Sequence, residues 1–186
     1  MDSYFNHQLR FCIVSNSYNN AHNGLIYRNV DSILQQNYTN YHVVYTDDAS
    51  PDRTGELVKQ HLNLKNIPDS KFKVKINPQK VGQMENIYNA ITYDCQEGEI
   101  VVMLDGDDSF IGTNVLSLLN ALYQKKKVAL IWNNFLQINE NSRGMMGFSR
   151  DLDGFANNFK SYRIAHRFVS SHLKSFFVDL FRKIKK

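Results

Sequence analysis

Cysteine is nearly absent: two residues, Cys12 and Cys95, in a chain of 186. Two cysteines cannot build the dense disulfide framework of a small secreted domain, and neither has a neighbour at zinc-ligand spacing. Both lie in apolar surroundings and are expected to be buried thiols. The six histidines are scattered, and no pair has metal-ligand spacing on a helix. No apolar run approaches the roughly 20 residues that span a bilayer. The first residues, MDSYFNHQLR, lack the basic-then-apolar order of a secretory signal. A soluble, cytoplasmic protein is therefore expected. No GxGxxG follows the first apolar stretch, which argues against a dinucleotide-binding oxidoreductase. No nucleic-acid motif with interleaved aromatics is present, so nucleic acid is not an expected partner.

What is present is an ordinary globular balance, 42% hydrophobic and 22% charged, with enough length to fill one core. The net charge of +4 is uneven, with basic runs at Lys125–Lys127 and Arg182–Lys186. Such runs attract phosphates or anionic surfaces. The simpler reading is a solvated helix end, favoured by the helix dipole.

Short β-rich stretches alternate with helical ones. Strands are expected at 11–16, 41–46, 71–77, 99–105 and 128–133, with 71–77 at an exposed edge. Helices are expected at 24–36, 53–62, 82–95 and 114–127, the second capped by Asp52. This order implies βαβ units, a mainly parallel central sheet and helices on both faces. Residues 1–138 are read as the binding core. Residues 139–186 are read as a flexible loop followed by a C-terminal helix over 165–184, the start of an acceptor-side segment of the same domain. The apolar face of that helix offers a surface for a homodimer partner, or for further protein.

In open parallel sheets ligands bind beyond the carboxyl ends of the strands. After the first strand comes Ser15-Asn16-Ser17-Tyr18, after the second Asp47-Asp48-Ala49-Ser50, and after the fourth Asp105-Gly106-Asp107-Asp108. Three carboxylates within four residues repel one another and lose hydration beside an apolar strand. A hard divalent cation, Mn²⁺ or Mg²⁺, supplies the counter-charge, and substrate phosphates complete its shell. A nucleoside diphosphate carrying a transferable group fits that requirement. Gly106 lets the backbone turn and approach a ligand closely. Tyr18 offers a face for a base. Helix capping is the alternative use for the aspartates.

In this order the stretches FCIVSNSYNN, DSILQQNYTNYHVVYTDDASPDRT, KVGQMENIYNAI and EIVVMLDGDDSF resemble family 2 glycosyltransferases of the Rossmann-like GT-A fold. The resemblance covers about residues 9–135. It implies an inverting, hexosyltransferase-like enzyme using a divalent cation. Such an enzyme moves a sugar from a nucleotide-sugar donor, UDP-linked by preference, to an acceptor hydroxyl on a glycan, protein or lipid. Carried over, Asn16 and Tyr18 lie by the base and Asp48 accepts a hydrogen bond from it. Gly82 and Asn86 border the diphosphate. Asp105 faces ribose or metal, with Gly106 beside it. Asp107 is the main metal ligand, with Asp105 and Asp108 assisting.

The resemblance also exposes departures. The family often carries arginine near Glu85; here Lys80 is the nearby cation, a point charge rather than a fork. An inverting transferase needs a general base, and no catalytic residue is assigned. Asp151, Asp153 and Asp179 are the acidic residues in the later chain, and His172 resembles a family position. The chain then reads as a donor-binding core, either part of a longer protein or a minimal one. Two alternatives stay open: a non-catalytic nucleotide-sugar-binding module, and a sugar nucleotidyltransferase. The second is disfavoured because SNSYNNAHNG has no basic residue to hold a triphosphate.

Overall fold

Odd and even residues of the first strand face opposite sides, and both sets are apolar. That pattern requires a core on each face of the sheet. The computed structural model describes residues 8–125, 130–132, 135–139, 142–147 and 174–183. In it β1 (Phe11–Ser17) is flanked by β2 (Tyr41–Asp47) and β4 (Ile100–Met103), and β3 (Phe72–Ile76) lies outside β2. All three pairings are parallel. Phe11, Ile13, Val43, Tyr45, Ile100 and Val102 bury one face. Against it pack α1 (Leu25–Leu34), α2 (Thr54–Leu64) and α4 (Val115–Lys125) through Ile26, Val30, Ile33, Val58, Leu62, Leu116 and Leu119. Cys12, Val14, Val44 and Val101 bury the other face under α3 (Gln83–Tyr93), through Ile87, Ala90 and Ile91. Each fully buried Leu or Ile contributes about 1.5–3 kcal/mol.

The sheet continues past β4 with two antiparallel strands. β8 (Lys174–Phe177) pairs with β4 on one side and with β5 (Leu130–Trp132) on the other. β6 (Phe135–Asn139) and β7 (Ser142–Gly147) form a separate antiparallel pair. α5 (Val178–Phe181) is a single turn after β8. The alternating parallel half with its helices agrees with the sequence reading, and β3 is at the edge as expected.

Two expectations are corrected here. The segment 165–184 was expected to be helical, but residues 174–177 form β8. The spacing of Phe176, Phe177, Val178 and Phe181 suits either structure. A vacant edge on β4 decides it, together with a buried hydrogen bond from Tyr123 Oη to Ser175 Oγ at 3.0 Å. Phe176 and Phe181 pack on the α3 side and Phe177 on the other, so these three residues lie against the fold. Likewise residues 142–147, read as loop, pair with β6. Asp151, Asp153 and His172 lie outside the described residues.

The cysteines are also corrected. They are buried, but they are not thiols: Cys12 and Cys95 form a disulfide. Cys12 stands near the start of β1, and Cys95 follows the last turn of α3. Packing of that helix on the strand brings their Cα atoms to 5.7 Å, within bonding range. Beside them the buried Glu99 takes Arg10 Nε at 2.9 Å and His42 Nε2 at 3.1 Å. No helix among the described residues is long and apolar enough to cross a membrane.

Candidate active site

The strand ends are sewn together by backbone hydrogen bonds that outlast the strands. Gly106 N–H donates to Asn16 O at 2.7 Å, Asp48 N–H to Ser17 O at 2.9 Å, and Asn77 N–H to Asp47 O at 2.9 Å. The first of these explains Gly106. A Cβ there would stand 2.6 Å from Ser17 Cβ and 2.8 Å from Asn16 O. The missing side chain is what lets the acidic turn lie against the end of β1.

These ends open on one cleft of about 340 Å³. From the last residues of β1 and just beyond it come Asn16, Ser17, Tyr18 and Asn20; from just after β2, Asp48; from the turn after β4, Asp105 and Asp107. The loop before α3 and its first turns add Lys80, Gly82, Gln83 and Asn86. Of the residues singled out by sequence, Asn16, Tyr18, Asp48, Gly82, Asn86, Asp105 and Asp107 thus share one cavity. Gly106 lies beneath it, and Asp108 is not among its lining residues. Ser17, Asn20 and Gln83 were not foreseen. Gln83 Nε2 donates to Asp105 Oδ1 at 3.0 Å, joining α3 to the acidic turn.

The run Asp47–Thr54 divides its labour. Asp47 is buried and accepts hydrogen bonds from the hydroxyl and amide of Ser50. Burial pushes its carboxyl above the usual range, although the Ser50 bonds oppose this. Asp52 was expected to cap α2, but the N-cap position is Arg53, which makes no side-chain cap bond; Asp52, one residue earlier, takes Thr54 N–H at 3.1 Å and Thr54 Oγ1 at 2.6 Å. Its other oxygen takes Ala21 N–H at 2.8 Å. With Asn19 N–H on Ser50 Oγ and Asn20 N–H on Thr54 Oγ1, this pins the loop after β1 to the loop after β2. Asp48 alone of the run turns to the cleft. It accepts from Asn77 Nδ2, Val81 N–H and Gly82 N–H, each at 2.9 Å. Burial pushes its carboxyl up, but the donors of Val81, Asn86, Asn77 and Gly82 outweigh this and hold it below the ordinary value. Asp48 is therefore an ionised acceptor at neutral pH.

Tyr18 is 42% exposed, and Lys80 Nζ sits 3.5 Å from the centre of its ring. Asn16 Oδ1 is buried and has no hydrogen-bond partner among the described residues. The cleft thus gathers an aromatic face, a cation, an orphaned acceptor, an anionic acceptor from the end of β2 and two carboxylates from the turn after β4. Those carboxylates suit a hard cation that binds through one or two acids and completes its shell with phosphate. Asp105, Asp107 and Asp108 do not form a closed three-acid cage. Among the described residues the trio that gathers within 4.8 Å is Cys12, Cys95 and Glu99, and its sulfurs are bonded to each other. Asp179 accepts from Gly98 N–H at 3.5 Å, ahead of β4 and so away from the cleft.

The sheet order, the parallel crossovers and the cleft at the strand ends define a GT-A fold. The fold is shared with S. aureus TarS (residues 1–349, solved with UDP-GlcNAc), at a TM-score of 0.68, 19% identity, and 94% of this chain against 47% of that one. It is shared too with the mannosyltransferase PcManGT of Pyrobaculum calidifontis, solved with GDP-Man and Mn²⁺, at a TM-score of 0.66, 20% identity, and 96% against 47%. The family model for glycosyl transferase family 2 matches residues 12–185, and the chain belongs to that family. An Escherichia coli relative, UDP-Glc:alpha-D-GlcNAc-diphosphoundecaprenol beta-1,3-glucosyltransferase, is 29% identical over 130 residues, 70% of this chain and 47% of its own. Glycosyltransferase GlyG of Streptococcus pneumoniae is 23% identical over 162 residues, 84% of this chain and 51% of its own. The chain spans about half the length of these relatives.

Proposed function

We propose that this chain is the donor-binding core of an inverting glycosyltransferase that uses a UDP-linked sugar and a divalent cation. The observation that carries this reading is the convergence of Asp48, Tyr18, Asp105 and Asp107, from three strand ends, on one cleft. Asp48, kept ionised by its donors, accepts the imide N–H of uracil, and Tyr18 stacks on the base. Lys80 leaves the ring of Tyr18 as the base arrives and turns its charge to the diphosphate. Gln83 and Asn86 bound the diphosphate from the α3 side. Asp105 and Asp107 are the residues that would hold Mn²⁺ or Mg²⁺, which when bound neutralises charge on the departing diphosphate. The name of the Escherichia coli relative, with UDP-Glc as donor and a beta linkage formed, supports a UDP-sugar. The acceptor is a hydroxyl, and the general base that deprotonates it comes from outside the described residues.

Calorimetry with UDP-glucose, UDP-GlcNAc and GDP-mannose, with and without Mn²⁺, tests the reading. UDP-sugars should bind, and Mn²⁺ should tighten them. Failure of every nucleotide sugar to bind in a metal-dependent way would overturn it.

A further inference from the structure

The acidic turn carries its carboxylates outward, yet it is held from behind by a helix. α1 and the residues just after it carry a polar strip, Asn29, Ser32 and Gln36, at helical spacing within an otherwise apolar face. Asn29 is fully buried. Its amide Nδ2 donates to the carbonyl oxygens of Asp105 at 2.9 Å and Asp108 at 2.8 Å. Both N–H groups of one carboxamide thus grip both ends of the turn that bears Asp107. Asp108 N–H closes the same turn onto Asp105 O at 3.0 Å. Further along, Ser32 Oγ takes Phe110 N–H at 3.0 Å, and Gln36 Nε2 donates to Gly112 O at 2.8 Å.

Asn29 Oδ1 is buried with no hydrogen-bond partner among the described residues. A leucine would fill nearly the same space and remove that unpaired Oδ1. What the carboxamide adds is its pair of donors, and both go to the turn.

We propose that Asn29 is a positioning residue, which fixes the Asp105–Asp108 backbone so that the Asp107 carboxylate is set before any ligand arrives. The assignment rests on the donor-binding reading above. Because the grip is on carbonyl oxygens by a neutral amide, it does not depend on the charge of the carboxylates. It acts on the turn after β4, whereas Asp48 and Tyr18 follow β2 and β1. Pre-setting a ligand shell strengthens binding by removing the ordering cost at the moment of association.

The test uses Asn29→Leu, which keeps the packing and removes the donors. UDP affinity is measured by NMR shift titration without metal and again with saturating Mg²⁺, and Mn²⁺ affinity is measured alone by its EPR signal. The metal-dependent gain in UDP affinity should fall about tenfold and Mn²⁺ binding should weaken with it, while metal-free UDP affinity stays within about twofold. Equal losses with and without metal would reduce Asn29 to a general packing role, and an unchanged metal-dependent gain would also overturn the assignment. If Asn29→Leu does not fold, Ser32→Ala decides, with the same metal-specific loss expected at about threefold and its absence counting against us. A wild-type chain showing no metal-dependent UDP binding would sink the donor-binding reading itself. Wild-type binding with indifferent variants would sink only this inference.

Discussion

Replacing both Cys12 and Cys95 by alanine should cost this fold about half of a typical domain's stability. The bond joins residues 83 positions apart. For a loop of that length the chain-entropy relation gives about 4.5 kcal/mol at 25 °C. Native strain and residual unfolded structure usually trim such figures, so a loss of about 3–5 kcal/mol is expected. For a chain of this size each kcal/mol moves the melting temperature by roughly 2–4 °C, so the drop should be about 10 °C. Cys12 is fully buried and Cys95 is 3% exposed, so a dithiol reductant should act slowly on the native protein and quickly once it is partly unfolded. The assay is thermal unfolding by circular dichroism, for wild type with and without reductant and for the double variant. Alkylation followed by mass measurement under non-reducing conditions reports the bond directly. Two alkylated cysteines in the denatured but unreduced protein would refute the reasoning, as would a double variant melting within about 2 °C of wild type.

Asp107→Ala should weaken Mn²⁺-dependent UDP-sugar binding by at least about tenfold, with metal-free UDP affinity unchanged, as read by calorimetry. Gly106→Ala forces a Cβ to within 2.6 Å of Ser17 Cβ, so its urea midpoint should report a loss of about 1–3 kcal/mol. Glu99→Gln leaves Arg10 and His42 facing a neutral amide and should cost about 3 kcal/mol at pH 7. Burial pushes the Glu99 carboxyl up, but His42, the Gln96 amide and Arg10 outweigh it, so its folded value lies below the ordinary one. The stability it contributes is therefore complete above the unfolded value of about 4.3 and is lost as pH falls through the lower folded value. The gap between wild type and Glu99→Gln in denaturant titrations should hold from pH 7 to about 5 and shrink below about 4. A gap that widened on acidification would contradict this sign.

The parallel half of the sheet was legible because β1, β2 and β4 are continuous apolar runs that end in polar residues, a local pattern. The convergence of Asp48 with Asp105 and Asp107 was legible for the same reason, since strand ends in such a sheet share an edge. Asp108 was read as assisting Asp107 at the metal, yet it does not line the cleft. A turn alternates the directions of its side chains, and only coordinates show which one lines the cleft. Asn29 was hidden in a helix whose period fixes a face but not what a polar residue on that face touches. Ser17 and Gln83 lie within the stretches that carry the resemblance, but neither was given a role there. The disulfide was invisible because its partners lie on different elements, and their meeting depends on how α3 packs. β8 was misread because large apolar residues at mixed spacing satisfy both periods, and the choice was made by the neighbouring strand.

The position of β8 between β4 and β5 has a consequence for synthesis. Four parallel strands and the cleft residues are all encoded before residue 108, so that half can assemble while translation continues. β5 cannot join it then: among the described residues its sheet partner is β8, and Lys174 leaves the ribosome 42 positions after Trp132. A nascent chain halted in that interval would hold a formed cleft beside an unsatisfied strand edge, a species for chaperones to shelter.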